Sequence, residues 1–230
     1  MKLAALGDQA VLAYLADERA AVEFARAVRA NNPPWLFDVV PAYASVGVFF
    51  DADLIALEDV MKWLLASGGR KPPEDSHSEG LRPPLAFRVP VCYEMQLDLP
   101  RVCEHTKLSP DEVIRLHTAT TYTVYAIGFV PGFPYLGYLP KELCGVGRLA
   151  SPRVRVEPGS VGLTGRQTGI YPLARPGGWN LIGKTPLTVV DAASGFFPLR
   201  VGDTVSFERI DATRYRELEG ERLSLGERGA

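Results

Sequence analysis

Residues Gly178 to Thr185, Gly-Trp-Asn-Leu-Ile-Gly-Lys-Thr, fit the phosphate-cradling pattern G-x-x-x-x-G-K-[ST]. That chemistry needs a buried apolar strand running into the first glycine, a loop of inward-pointing N–H groups, and a helix opening at the Lys-Thr pair. The flanks supply neither element. Upstream, Pro172, Pro176 and Gly177 punctuate the chain and leave no room for a buried strand. Downstream, Pro186 biases Thr185 away from helical angles, and Leu187-Thr188-Val189-Val190 reads as a strand. Lys184 and Thr185 are therefore expected to enter a strand, and the segment is not read as a phosphate-binding loop.

Other polar residues stand where chemistry is possible. Arg153 follows a proline on a rigid loop and suits bidentate recognition of a carboxylate or phosphate; the alternative is an arginine bonded to loop carbonyls. Gln167, between Gly165 and Gly169, puts an amide on a glycine-hinged turn. Trp179 is either a plug or a stacking wall, and Lys184 is either a site cation or solvated. His117 lies three and four residues after Ile114 and Val113, on the apolar side of a helix, where a buried, hydrogen-bonded histidine is the ordinary outcome. His105 reads as a surface helix residue. No Ser-His-Asp, paired-carboxylate or Cys-His set can be assembled, so a self-sufficient hydrolase is not supported. Cys92, Cys103 and Cys144 form no C-x-x-C pair and suggest neither disulfide nor zinc, and no metal is expected.

The elements that must carry these residues fall into two blocks. Residues 1–80 read as a small α+β domain in the order ββαββα. Leu3–Ala5 and Ala10–Leu15 form a hairpin, followed by a helix capped by Asp17. Trp35–Val40 and Ser45–Phe50 turn about Pro41-Ala42, and a helix capped by Asp53 carries Leu54, Leu57, Val60, Met61, Leu64 and Leu65. Ser67 to Pro84 is polar and proline-rich, a linker holding a solvated His77. Residues 81–230 begin with strand Leu85–Tyr93 and two helices, the second opened by the capping box Ser109-Pro110-Asp111-Glu112. The remainder, to about Ile210, is short apolar runs between Gly and Pro, as in an all-β barrel or sandwich, and from Asp211 the chain reads as a frayed polar tail. A net charge of -2 and a pI near 6.0 give no basic field for nucleic acid or anionic lipid. With no signal-peptide core or apolar run of membrane-spanning length, the cytoplasm is the expected location.

Three stretches are dense in Gly, Pro and aromatics, and rigid loops of that composition make apolar walls facing a cleft. The groove-lining candidates are Phe129, Pro131, Gly132, Phe133, Tyr135 and Leu136 in the first stretch and Gly159 and Ser160 in the second. Tyr171, Pro172, Gly177, Gly178 and Trp179 stand in the third.

The blocks IGFVPGFPYLGYLP, SPRVRVEPGSVGLTGRQTGIYP and RPGGWNLIGKTP, long and in order, resemble the signatures of one bacterial family. It comprises the KipI-type kinase inhibitors, the first subunit of allophanate hydrolase and the B subunit (PxpB) of ATP-dependent 5-oxoprolinase. The similarity reaches back through VPVCYEMQLDL and SPDEVIRLH to LGDQAVLAYL. Relatives have glycines where this chain has Glu94-Met95-Gln96, and V-P-A-G-S-V where it has Val156-Glu157-Pro158-Gly159-Ser160-Val161. The resemblance implies a cyclophilin-like β-barrel for the second domain, and it makes the phosphate-loop match an accident of Lys184 standing where Arg is also usual. It gives His117 a groove-lining role beside the structural one. It implies work with PxpC-like and PxpA-like partners, the other components of 5-oxoprolinase, with ATP bound at the assembled complex, to open 5-oxoproline to glutamate. The alternatives are docking on a sensor histidine kinase or membership of the allophanate system.

Overall fold

The structure, a computed structural model, describes residues 1–66 and 82–225, and the chain divides into two compact units, Met1–Pro83 and Pro84–Ala230. His77 and most of the linker reading lie outside the described residues.

The first unit runs β1 (Lys2–Ala5), β2 (Ala10–Tyr14), α1 (Glu18–Asn31), β3 (Leu36–Ala42), β4 (Ser45–Phe50) and α2 (Leu57–Ala66), with the strands in the antiparallel order β1-β2-β4-β3. Asp17 caps α1 by accepting from the Ala20 N–H at 2.8 Å. Alternation puts Val11, Ala13, Val39, Val46, Val48 and Phe50 into one core with Phe24 and Val28 of α1 and Val60 and Leu64 of α2. Two expectations are corrected. Helix α2 starts at Leu57, because the Asp51 carboxylate accepts from the Asp53 N–H at 2.9 Å and folds 51–55 into a turn, leaving Leu54 exposed. Strand β3 continues through Pro41 and Ala42, and the corner falls at Tyr43, which takes a left-handed φ of 55°.

The second unit is a closed barrel in the order β10-β7-β6-β13-β5-β12-β9. Its strands are β5 (Ala86–Cys92), β6 (Thr121–Ile127), β7 (Pro134–Gly137), β9 (Ser160–Thr164), β10 (Gln167–Ile170), β12 (Asn180–Lys184) and β13 (Thr204–Ile210). Strands β5 and β13 run parallel over seven residue pairs, while the other barrel pairings are antiparallel. A separate ribbon pairs β8 (Arg153–Val156) with β11 (Arg175–Gly177). Helices α3 (Leu99–Thr106) and α4 (Pro110–Thr118) lie between β5 and β6, and the capping box of α4 is complete, with Ser109 accepting from the Glu112 N–H and Glu112 accepting from the Ser109 N–H at 2.9 Å. The barrel interior holds Val89, Val91, Val124, Leu136, Val161, Leu163, Ile182 and Val205, all without solvent contact.

Three sequence expectations change here. Lys184 ends strand β12 rather than entering one, since Asn180–Lys184 pairs with β9 and Lys184 also with Cys92 of β5. Residues 188–190 then form a loop with an isolated bridge from Thr188 to Arg222. Strands β7, β10 and β11 lie in stretches read as loops. The polar tail is anchored, because Asp211 caps a short helix, α5 (Ala212–Glu217), whose Tyr215 is buried along with Leu223 beyond it.

Candidate functional site

The aromatic residues singled out in the sequence converge. Phe133, immediately before β7, meets Tyr135, Tyr171, Trp179 and Phe129 edge-on, with ring centroids 5.0, 5.2, 5.4 and 5.5 Å away. Tyr135 also meets Trp179 at 5.8 Å and Phe129 meets Tyr171 at 6.3 Å. Edge-to-face geometry places the positive ring edge on the negative face of its neighbour and holds such a cluster in one arrangement. Phe133, Tyr171 and Trp179 join Val156 and Leu181 in a small core separate from that of the barrel. Phe129, 56% exposed and held at a left-handed φ of 68°, and half-buried Tyr135 are its open edge.

Glycines set the closeness of this packing. A Cβ on Gly177 would lie 2.4 Å from the Tyr171 hydroxyl, and one on Gly169 would lie 2.8 Å from the Pro134 carbonyl oxygen and 3.1 Å from the Trp179 ring. Gly132 (φ 77°) and Gly159 (φ 81°) take left-handed angles, and Gly159 lies against the Thr185 carbonyl. Gly177→Ala is therefore expected to displace the buried Tyr171 ring, lowering stability by about 1–3 kcal/mol and changing the near-ultraviolet circular dichroism. A spectrum identical to wild type would show that the cluster yields without rearranging.

The other wall candidates divide. Pro131 is exposed beside Phe129, and Gly178 accepts from the Leu149 N–H at 2.7 Å. Leu136 points into the barrel core rather than the aromatic cluster. Ser160 and Pro172 are buried, and Ser160 serves through its backbone, donating to the Glu157 carbonyl and accepting from the Tyr171 N–H.

The polar candidates are not brought together. His117 is wholly buried, its ring stacked on Phe207 of β13 at 4.5 Å and near Tyr122 of β6 at 5.4 Å. The Thr168 hydroxyl donates to the Gly162 carbonyl at 3.0 Å, so its oxygen must accept from His117 Nε2–H at 2.9 Å. That leaves Nδ1 to accept from the Tyr93 hydroxyl at 2.7 Å. Burial pushes the imidazole down to about 3 from an ordinary 6.5. The groove-lining reading of His117 is corrected: this is a neutral histidine tying α4 to β10, remote from solvent, because its helix face turns into the barrel.

Arg153 is also engaged. Its Nη2 donates to Asp98 Oδ1 at 2.7 Å, while Asp98 Oδ2 accepts from the Leu181 N–H at 2.7 Å. With side chains 25% and 8% exposed, this is a largely desolvated pair joining β8, β12 and the start of α3. One edge of the guanidinium is thus committed, and Nη1, buried beside it, makes no hydrogen bond among the described residues. Asp98 has only a faint sequence signal, an acidic residue before a helix-opening Leu-Pro. Gln167 starts β10, half-buried, opposite Thr164 and Gly137. Lys184, half-buried, lies near enough to Glu157 that its charge contributes to holding that carboxyl down, behind the larger effect of the Arg155 hydrogen bond.

Arg148 carries no signal of its own in the sequence. It is exposed and lies close enough to the cluster for its charge to act on the hydroxyls of Tyr135 and Tyr171. Burial is the larger effect and pushes both hydroxyls up; Arg148 opposes it. A separate pocket of about 360 Å³ lies at β5, β13 and α5, but its Arg88 and Arg214 are paired with Glu208 and Glu217. Among the described residues, no three His, Cys, Asp or Glu side chains are grouped to hold a metal, and no helix is long and apolar enough to cross a membrane.

Comparison with known proteins places this arrangement. The family model described as carboxyltransferase domain, subdomain C and D, matches residues 1–196. A protein named as the 5-oxoprolinase B subunit from Bacillus subtilis (strain 168) is 37% identical over 94% of this chain and 95% of its own length. A protein of the same name from Escherichia coli O157:H7 is 39% identical over 79% of this chain and 81% of its own. The crystal structure of TTHA0988 superposes with a TM-score of 0.75 at 32% identity over 89% of this chain, which spans 40% of that longer one. This chain belongs to the carboxyltransferase domain family, subdomain C and D, and within it is similar over nearly its whole length to proteins named as the B subunit of 5-oxoprolinase.

Proposed function

We propose that the chain is the B subunit (PxpB) of an ATP-dependent 5-oxoprolinase, acting with PxpC-like and PxpA-like partners to convert 5-oxoproline to glutamate. The observation that carries this reading is the 37% identity to a protein of that name over 94% of the chain. The aromatic cluster with an open edge and a cation beside it supports it, since 5-oxoproline is a small flat lactam bearing a carboxylate. We read the barrel as cyclophilin-like, a shape that does not by itself confer prolyl isomerisation.

Amide resonance makes the lactam carbon a poor electrophile, and ATP, bound at the assembled complex, supplies the phosphoryl group that activates the lactam oxygen. What a protein adds to such a step is positioning and charge stabilisation. Phe129 and Tyr135 offer apolar faces for the ring, while Gln167 and Lys184, opposite Thr164 and Ser160 at the two ends of β9, cannot both meet the reacting end of so small a molecule. Arg153 serves by holding the wall through Asp98. His117, neutral and enclosed, is left out of proton transfer.

The test is 5-oxoproline-dependent ATP hydrolysis by this protein alone and co-purified with PxpA-like and PxpC-like partners. Turnover is expected only in the assembled mixture. No stable complex and no turnover would overturn the reading and favour docking on a histidine kinase.

A further inference from the structure

The geometry points to Arg148 as the residue that recognises the carboxylate of the small anionic substrate at the aromatic cluster, an inference that rests on the 5-oxoprolinase reading above. Its backbone is fixed on both sides. The Gly147 carbonyl accepts from Asn180 Nδ2 at 3.0 Å and from Arg101 Nη1 at 3.2 Å, and the Leu149 N–H donates to the Gly178 carbonyl at 2.7 Å. Arg148 is thereby held next to Gly178-Trp179, one wall of the cluster, with its side chain exposed.

Three neighbouring arginines are committed to side-chain partners within the chain, and Arg175 donates to the Ala174 carbonyl. Arg101 donates to Asn180 Oδ1, Arg153 to Asp98 and Arg155 to Glu157. Arg148 makes no hydrogen bond or ion pair among the described residues, and its positive charge acts on the hydroxyls of Tyr135 and Tyr171. A guanidinium offers two parallel N–H groups to a carboxylate, and an apolar aromatic wall beside it strengthens the pairing by excluding water. A planar lactam against Tyr135 with its carboxylate on Arg148 uses both features, and Arg148 sets specificity without touching the bond that breaks.

The experiment uses the enzyme assembled with PxpA-like and PxpC-like partners. Arg148→Gln is expected to raise KM for 5-oxoproline about 10–100-fold while leaving KM for ATP and the thermal unfolding of the chain unchanged. Arg148→Lys, which keeps the charge but loses the planar fork, should fall between. The preference for 5-oxoproline over 2-pyrrolidinone, the same lactam without the carboxylate, should collapse in Arg148→Gln. A wild-type complex that turns over 5-oxoproline beside an Arg148→Gln complex with unaltered KM and preference would overturn this inference alone. A wild-type complex with no turnover removes the functional reading and this inference with it.

Discussion

Lowering the pH from 6.5 to 5 is expected to cost the barrel about 1.6 kcal/mol of unfolding free energy through His117, the slope steepening toward about 1.4 kcal/mol per pH unit as the unfolded histidine becomes fully protonated. The folded-state value is about 3 against an ordinary 6.5 because burial penalises the imidazolium. Below pH 6.5 the unfolded chain takes up a proton at this residue that the folded barrel refuses. The contribution is therefore fully present above 6.5 and is lost progressively as the pH falls toward 3. His117→Phe keeps a ring against Phe207 but cannot titrate, and it leaves the Tyr93 and Thr168 hydroxyls without their partner. At pH 7.5 the variant should be less stable by about 2–4 kcal/mol, and that deficit should shrink as the pH drops. Denaturant titrations of both proteins at pH 7.5, 6.5, 5.75 and 5 check this. Parallel pH profiles would mean that His117 is not held neutral by the fold.

Asp98→Ala carries the second large effect. The carboxylate accepts from both Arg153 and the Leu181 N–H, so its removal strands a largely buried guanidinium and a buried amide together. Breaking a buried pair by deleting one partner costs about 3–5 kcal/mol. Asp98→Asn, which retains an acceptor for Leu181, should lose less. Arg153→Met alone and the Asp98→Ala, Arg153→Met double variant complete a cycle in which the double change should cost well under the sum of the singles. Strictly additive losses would show that the two side chains are not coupled. The same cycle separates the structural work of Arg153 from any effect on turnover, because stability is measured without the partner proteins.

Local signals were legible where a few neighbouring residues decide the outcome. Asp17 and the Ser109–Glu112 box start their helices as the sequence suggests, since a cap is satisfied within one turn of chain. Ser45–Phe50 is read at its observed bounds because Val46, Val48 and Phe50 alternate into the core while Phe49 is exposed. The strands that escaped notice lack that contrast. Strand β12 is buried from Asn180 to Gly183, and β10 carries Gly169 where Pro134, Phe133 and Trp179 leave no room for a side chain. Their glycines, which locally signal turns, report the closeness of other chain segments instead.

By itself the sequence determined the starts of α1 and α4, the failure of the phosphate-loop pattern and the set of aromatics that gather around Phe133. Those follow from composition and short-range spacing, or from motifs long enough to carry a family resemblance. Only the tertiary structure decided the fate of the polar residues. It turned His117 inward to Tyr93 and Thr168, spent one edge of Arg153 on Asp98, which lies 55 residues earlier in the chain, and left Arg148 near Tyr171 without a hydrogen bond among the described residues. The physical reason is that a charged or hydrogen-bonding group takes its role from the partner it meets in space. In a closed barrel those partners come from strands far apart in the chain.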